Sequence, residues 1–325
     1  MTSSFNNIRI KRITIDDLAT VQAIDKAAYG TAEPAEWLEE GITDHEGYYF
    51  LVYDDETPVG YCGMYHMTSR EPNYCKISTI AVLPEHHGKG LGRFMLQKTL
   101  DTAKELGLNS TKLEVATTNI AAINLYKSFD FIVGEHKENY YENGDDAYIM
   151  WYYSGFKIRS ATVADAEGFG GVHVSSWQAA YKGIIPDDYL SAMSPEASAQ
   201  RLVEVLTAEP DAPFFVAELN GKIIGNLLFG KFRNSDYDNI GEVGAIYLLP
   251  EYWGKGYGKA MMGYAMDSLH NQGYKTIIIW ALEQNERARN FYEKMGFEYT
   301  GQKNTIEIGK PLTNVEYSLT RISTK

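Results

Sequence analysis

The alternation of apolar and polar positions lays down one order of elements twice. "IRIKRI" (8–13) and "FKIRSA" (156–161) alternate as short strands. Each is followed by a threonine with an acid three residues on, Thr14 to Asp17 and Thr162 to Asp165, which marks a capped helix start. "YYFLVYDDETPVGYCGMYHM" (48–67) reads as two strands around an acidic turn, and "PFFVAELNGKIIGNLLFGKF" (213–232) as a hairpin turning at Asn220–Gly221. "KISTIAVL" (76–83) and "EVGAIYLL" (242–249) are further strands. Leu91, Met95, Leu96, Thr99, Leu100 and Ala103 then recur at helical spacing. "TKLEVA" (111–116) and "TIIIWA" (276–281) are strands again, and "NIAAINLYKSF" (119–129) and "NERARNFYEKM" (285–295) are helices. The predicted fold class is α/β of the mixed-sheet, α+β kind, with one sheet covered by helices in each half.

The repetition extends to residue identity. With the second half shifted by 166, residues 80–98 fall on 246–264 without a gap, and the pairs Asn119/Asn285, Ala122/Ala288, Asn124/Asn290, Tyr126/Tyr292 and Phe131/Phe297 follow at that offset. Near the start of each half the offset is 148, so 18 residues of extra length lie between the two anchors. The chain is a tandem duplication. Its domains are expected at 1–153 and 156–325, joined through "YYSGFK" (152–157). So short a junction is no flexible linker, and the two domains are expected to pack on each other.

Composition narrows the function classes. The chain of 325 residues is 44% hydrophobic and 22% charged, as in an ordinary soluble globular protein. It has no apolar run of ~18 residues and no apolar stretch near its start, so neither a membrane span nor a secretory signal is expected. The two cysteines, Cys62 and Cys75, form no metal-binding pattern, and a reducing cytoplasm is the simplest compartment. Net charge is −13, of which residues 1–153 carry −10 (13 Lys/Arg, 23 Asp/Glu) and residues 154–325 carry −3 (17 and 20). An acidic chain without a basic cluster argues against nucleic acid or an anionic membrane as partner. It suits a cationic small molecule or peptide, although solubility alone also accounts for the charge.

The candidate chemistry sits in "HHGKGLG" (86–92) and "YWGKGYG" (252–258), each just after "LPE" and between a strand and a helix. At a helix start the first N–H groups are unpaired and carry partial positive charge. Glycines let such a backbone take positive φ and approach an anion, a phosphate above all. The alternative is a tight turn without a ligand. A P-loop would need Ser or Thr after Gly-Lys, where Gly90 and Gly256 stand. A dinucleotide fingerprint counted from Gly88 or Gly254 would need glycine where Arg93 and Lys259 stand.

Together with the downstream segments "NIAAINLYKSFDF" (119–131) and "NERARNFYEKMGF" (285–297), these loops resemble the acetyl-CoA pyrophosphate loop of the GNAT superfamily of N-acyltransferases, whose pattern is Gln/Arg-x-x-Gly-x-Gly/Ala. The resemblance covers nearly the whole chain, twice. The first place of the pattern holds His87 in one copy and Trp253 in the other. The resemblance implies a mostly antiparallel sheet in each domain, acetyl-CoA as cosubstrate, no metal, and acetyl transfer to a primary amine of a small molecule or peptide. The cofactor would be held by His87, Gly88, Lys89, Gly90, Leu91, Gly92 and Arg93, and by Trp253, Gly254, Lys255, Gly256, Tyr257, Gly258 and Lys259. Backbone groups of Ile80, Ala81 and Val82, and of Ile246, Tyr247 and Leu248, would grip its pantetheine arm like an added strand. Asn119 and Asn285 would touch the same arm, or else simply cap their helices.

The transfer needs a neutral amine, a donor for the developing oxyanion and a proton for the departing thiolate. Tyr126 and Tyr292 stand where the family carries its general-acid tyrosine; the plainer reading is a half-buried aromatic on an amphipathic helix. Glu114 stands where some relatives place a base. Its counterpart is Trp280, so Glu242 on the strand before the loop is the candidate in the second copy, opposite Lys76 in the first. Either glutamate could instead be a solvated surface residue. "VSSWQAAYKGIIPDDYL" (174–190) resembles the roof of an acceptor site in one branch of the family, with Trp177 and Tyr181 on one helix face as either an amine wall or core. A rival reading is a module that binds CoA, in one or both copies, without catalysing.

Overall fold

The computed structural model describes residues 7–68, 73–232 and 239–320. The extreme N-terminus, read above for a signal, lies partly outside them. The chain separates into two compact units at Ser154/Gly155, with Ile132–Glu135 grouped with the second.

The first unit runs β1 (Ile8–Arg12), α1 (Leu18–Tyr29), α2 (Ala35–Thr43), β2 (Gly47–Asp54), β3 (Thr57–Met67), β4 (Tyr74–Val82), α3 (Leu91–Glu105), β5 (Ser110–Ala116), α4 (Ile120–Lys127), β6 (Ile132–Lys137) and β7 (Ala147–Tyr153). Its strands order as β1-β2-β3-β4-β5-β7-β6. Only the central β4–β5 neighbours are parallel among the pairings β1–β2, β2–β3, β3–β4, β4–β5 and β5–β7. The second unit runs β8 (Phe156–Ser160), α5 (Ala166–Ala180), α6 (Asp187–Ser191), α7 (Pro195–Ala208), β9 (Phe214–Leu219), β10 (Lys222–Lys231), β11 (Ile240–Leu248), α8 (Tyr257–Asn271), β12 (Thr276–Leu282), α9 (Glu286–Lys294), β13 (Glu298–Glu307) and β14 (Pro311–Thr320). Its order, β13-β14-β12-β11-β10-β9-β8, is the first sheet reversed in listing and identical in topology, with β11–β12 as the parallel pair. The extra length of the second copy is largely α6 and the longer α7.

Strand alternation explains the layers. Tyr49, Leu51, Tyr61 and Ala81 point to one face and pack with Ile13, Val21, Ile24 and Leu38 under α1 and α2. Val52, Val59 and Cys62 point to the other and pack with Leu91 and Met95 of α3. The six α3 positions picked out by helical spacing are all buried. Each of the Leu and Met side chains among them contributes about 1.5–3 kcal/mol on burial. Cys62 and Cys75 are free and buried, and burial pushes both thiols up to about 12. No helix among the described residues is long and apolar enough to cross a membrane.

Both predicted capping boxes form. Asp17 Oδ2 accepts from Thr14 N at 2.9 Å, and Asp165 Oδ2 accepts from Thr162 N at 2.8 Å. A cation from the preceding strand closes each: Lys11 Nζ at 2.7 Å from Asp17, and Arg159 with two bonds to Asp165 at 2.6 and 2.7 Å. The Arg159 guanidinium, followed by the Thr162 bonds, holds the Asp165 carboxyl down at about 2 against its ordinary 3.8. A depressed carboxyl supplies stability above its unfolded pKa and loses it as acid protonates the folded group. Asp165 should therefore contribute about 2 kcal/mol above pH ~4, fading as pH falls towards ~2. Urea unfolding from pH 5 to 2 should show the wild type losing that increment relative to Asp165→Asn. Parallel acid profiles for the two proteins would refute it.

Candidate active site

In each unit the parallel pair opens at a bulge. The β3–β4 register passes from Gly63↔Thr79 to Met64↔Ile77, leaving Ser78 as the extra residue. The β10–β11 register passes from Leu228↔Ala245 to Phe229↔Val243, leaving Gly244, which lies 166 positions from Ser78. A bulge bends and twists its strand. Pairing of β4 with β5 ends at Lys76↔Lys112, and that of β11 with β12 at Val243↔Ile279. Ile80–Val82 and Ile246–Leu248 thus run past the point where their parallel neighbour has left, along an open slot.

The glycine loop closes one end of each slot. Gly88 and Gly90 have φ of 72° and 90°, and Gly254 and Gly256 have 74° and 90°. At Gly88 and Gly254 a Cβ would meet nothing within 4 Å, so backbone conformation rather than space requires glycine there. Helices α3 and α8 start at Leu91 and Tyr257 from these left-handed glycines without a side-chain cap, so the first N–H groups of each helix have no side-chain partner at the cap. Leu91 is core, whereas Lys89, Lys255 and Lys259 are exposed. Arg93 turns away to Ser128 Oγ at 2.7 Å and lies over the Phe129 ring. A Cβ at Gly92 would press on Leu125, so glycine serves close packing there, whereas at Gly258 it would make only ordinary contact with Phe291.

The two residues that depart from the family pattern make one contact. His87 Nε2 lies 3.0 Å from Val82 O, and Trp253 Nε1 donates to Leu248 O at 2.7 Å. Each ring ties the loop to the last carbonyl of its strand, and Arg287 stacks on Trp253 at 3.5 Å. These side chains shape the loop. A second carbonyl expected to grip the arm, Ile80 O, accepts from Tyr29 Oη at 2.9 Å.

Tyr126 and Tyr292 are 9% and 7% exposed, on α4 and α9. Burial holds both phenols above their ordinary 10. Asn119 and Asn285 cap those helices, each Oδ1 accepting from the N–H of residue N3 at 3.1 Å. Glu114 is held by Lys112 at 2.7 Å and Lys76 at 3.6 Å, so its oxygens are already engaged. Glu242 sits half-buried on β11, two residues before the bulge. Trp177 and Tyr181, 5.0 Å apart, join Ile185, Leu190, Leu282 and Leu312 in an apolar cluster, the core reading of that pair. Tyr247 points its ring at Trp177 and His173.

Sequence reading missed the residues on the inner face of the first helix. Asp25, 1% exposed, accepts from Tyr61 Oη at 2.5 Å and from Glu33 N at 3.0 Å. Burial, then the nearby Asp25 charge, raises the Glu33 carboxyl. Asp25 and Tyr29 are four apart on α1, and the offset of 148 carries them onto His173 and Trp177 of α5. That i, i+4 pair, carried through the offset, was the available signal. Among the described residues no group of three or more His, Cys, Asp or Glu is placed to hold a metal.

A sequence profile of the acetyltransferase (GNAT) family matches residues 15–131 and again 177–297. The N-alpha-acetyltransferase RimI of Mycobacterium tuberculosis is 36% identical over 123 residues, 38% of this chain and 75% of the relative. The [ribosomal protein bS18]-alanine N-acetyltransferase of Escherichia coli (strain K12) is 32% identical over 144 residues, 43% of this chain and 94% of the relative. A crystal structure of the PaiA N-acetyltransferase from Thermoplasma acidophilum in complex with coenzyme A is similar with a TM-score of 0.43 at 22% identity, covering 51% of this chain and 99% of that one.

Proposed function

The chain belongs to the acetyltransferase (GNAT) family, and from that premise we propose that each unit binds acetyl-CoA and transfers its acetyl group to a primary amine. What carries the reading is one arrangement present twice: a parallel strand pair opened at a bulge, a glycine loop feeding an uncapped helix start, and a buried tyrosine on the next helix. The residues fit the cosubstrate. The loop backbone offers N–H groups for a pyrophosphate, and a slot one strand wide suits an extended arm. When bound, acetyl-CoA supplies an activated acyl thioester.

The chain's own groups then act on the acceptor. The N–C bond forms as the C–S bond breaks, the amine gives up a proton, and Tyr126 or Tyr292 delivers one to the departing sulfur. Burial keeps both phenols protonated through the neutral range, so the donor state is always populated. Glu242 is the base in the second unit. In the first, where Lys112 and Lys76 engage Glu114, a water relay takes the amine's proton.

For the first unit the acceptor is cationic. Asp25 is buried and accepts from the Glu33 backbone N–H, Tyr29 reaches Ile80 O, and Glu33 and the acids of α2 (Glu36, Glu39, Glu40) are solvent-exposed. The relatives named for acetylating protein N-termini keep a peptide amine in scope. A cytoplasmic location suits the two free thiols.

Release of free thiol from acetyl-CoA, measured across amines of matched size and rising charge, tests all of this. Turnover should rise with acceptor charge and fall with salt, since fields of this kind are screened within about 8–10 Å. Indifference to charge and salt would remove the cationic acceptor. Thermal stabilisation by CoA without thiol release from any amine would leave a binding module.

A further inference from the structure

The inner faces of the two units differ most where they should be alike. Tyr61 faces Ala81 across β3–β4, and Asn226 faces Tyr247 across β10–β11. Ala81 and Tyr247 are equivalent by the offset of 166. The bulky ring has therefore moved from β3 in the first unit to β11, the counterpart of the central β4, in the second. The buried acid opposite it, Asp25, has become His173. In the first unit Tyr61 and Asp25 fill the space with a hydrogen-bonded pair. In the second a cavity of about 260 Å³ lies under α5 and α7 and reaches the bulge residue Gly244.

Its wall is specific. Asn226 is 1% exposed, and its Nδ2 donates to Phe169 O at 2.9 Å. That bond fixes the amide, and Oδ1 is buried without a hydrogen-bond partner. An acceptor stripped of water asks for a donor. Arg201, an exposed residue of α7, is part of the wall, and its positive charge reaches His173. His173 Nδ1 is engaged by Ser198 Oγ at 2.9 Å. Among the described residues no Asp or Glu lines the space; the remainder is mainly Leu202, Val205, Phe214 and Leu228. A polyamine would meet a positive charge here and, among the described residues, no counter-charge. A water claims about 30 Å³ of liquid, so the volume corresponds to roughly nine heavy atoms.

We propose that this cavity is the acceptor pocket of the second unit and takes an apolar α-amino acid, whose carboxylate pairs with Arg201 and whose amine donates to Asn226 Oδ1 beside Gly244. Guanidinium–carboxylate pairing is bidentate and directional, which suits recognition at a partly open mouth. The role as acceptor rests on the acetyltransferase reading; binding itself does not. The two units then differ in acceptor charge, acids standing at one inner face and a guanidinium at the other.

Calorimetry of L-leucine against the intact chain is the test. One site is expected. Arg201→Gln, at an exposed position, should weaken it at least tenfold, whereas Asp25→Asn in the other unit should not. L-Leucine amide, of the same size without the carboxylate, should be insensitive to Arg201→Gln. Asn226→Leu should also abolish the leucine site, with Arg201→Gln deciding if that buried variant fails to fold. Absence of leucine binding, or equal affinity in Arg201→Gln, overturns the pocket. If leucine binds at an Arg201-dependent site but releases no thiol from acetyl-CoA, the acetyl-transfer reading of this unit fails and the pocket stands. Thiol release with other amines alongside no leucine binding is the reverse.

Discussion

Replacing Tyr126 and Tyr292 together by phenylalanine will lower acetyl transfer by the intact chain about 10²–10⁴-fold, with coenzyme A affinity nearly unchanged. The substitution keeps both rings, so the packing of Tyr126 on Phe131 at 5.7 Å and of Tyr292 on Tyr317 at 6.1 Å survives. Only the proton donor goes. A buried phenol that clings to its proton looks a poor acid, but its partner thiolate leaves into the same dry surroundings. Burial acts in the same sense on the Cys62 and Cys75 thiols of the first unit, pushing both up to about 12. Each single variant should remove the share of turnover belonging to its own unit. Steady-state thiol release with the preferred amine of each unit measures this. A double variant retaining more than about a tenth of the activity would reduce both tyrosines to packing.

Gly90→Val should abolish one of about two coenzyme A sites on the intact chain, and Gly256→Val the other. Both glycines sit at φ of 90°. A β-branched side chain held in the left-handed region costs about 1–3 kcal/mol, at the residue that directly precedes the helix start. The fold should survive, because α3 is held by Leu91, Met95 and Leu96, each at most 1% exposed. Calorimetric stoichiometry falling from about two to about one, with helical content preserved, is the expected result. Full stoichiometry in either variant would mean that the loop does not hold the phosphates.

Much of this was legible in the sequence, and the reasons are local. A capping box is four consecutive residues, so Thr14–Asp17 and Thr162–Asp165 could be read directly. A helix stripe needs only its own spacing, so the buried face of α3 followed from Leu91 to Ala103. What escaped depends on which residue lies across the sheet. The bulges at Ser78 and Gly244 are register shifts between strands, invisible to alternation within one strand. Glu114 is a candidate base from its place relative to Asn119; that Lys76 of β4 joins Lys112 on its carboxylate is a cross-strand fact that the position alone does not tell. The exchange of Tyr61/Ala81 for Asn226/Tyr247 changes no hydrophobic pattern that a periodicity argument would notice. Asn119 and Asn285 show the opposite case: capping, weighed beside ligand contact, is what each Oδ1 does.

The ties from His87 to Val82 O and from Trp253 to Leu248 O bear on kinetics as well as shape. A phosphate-binding loop that must be gathered by its ligand charges the association with ordering entropy and slows the productive encounter. Here the chain itself fixes the loop against the strand it follows. Capture of the nucleotide end can then proceed as docking onto a standing surface, and affinity differences between the two units are expected in residence time more than in arrival rate.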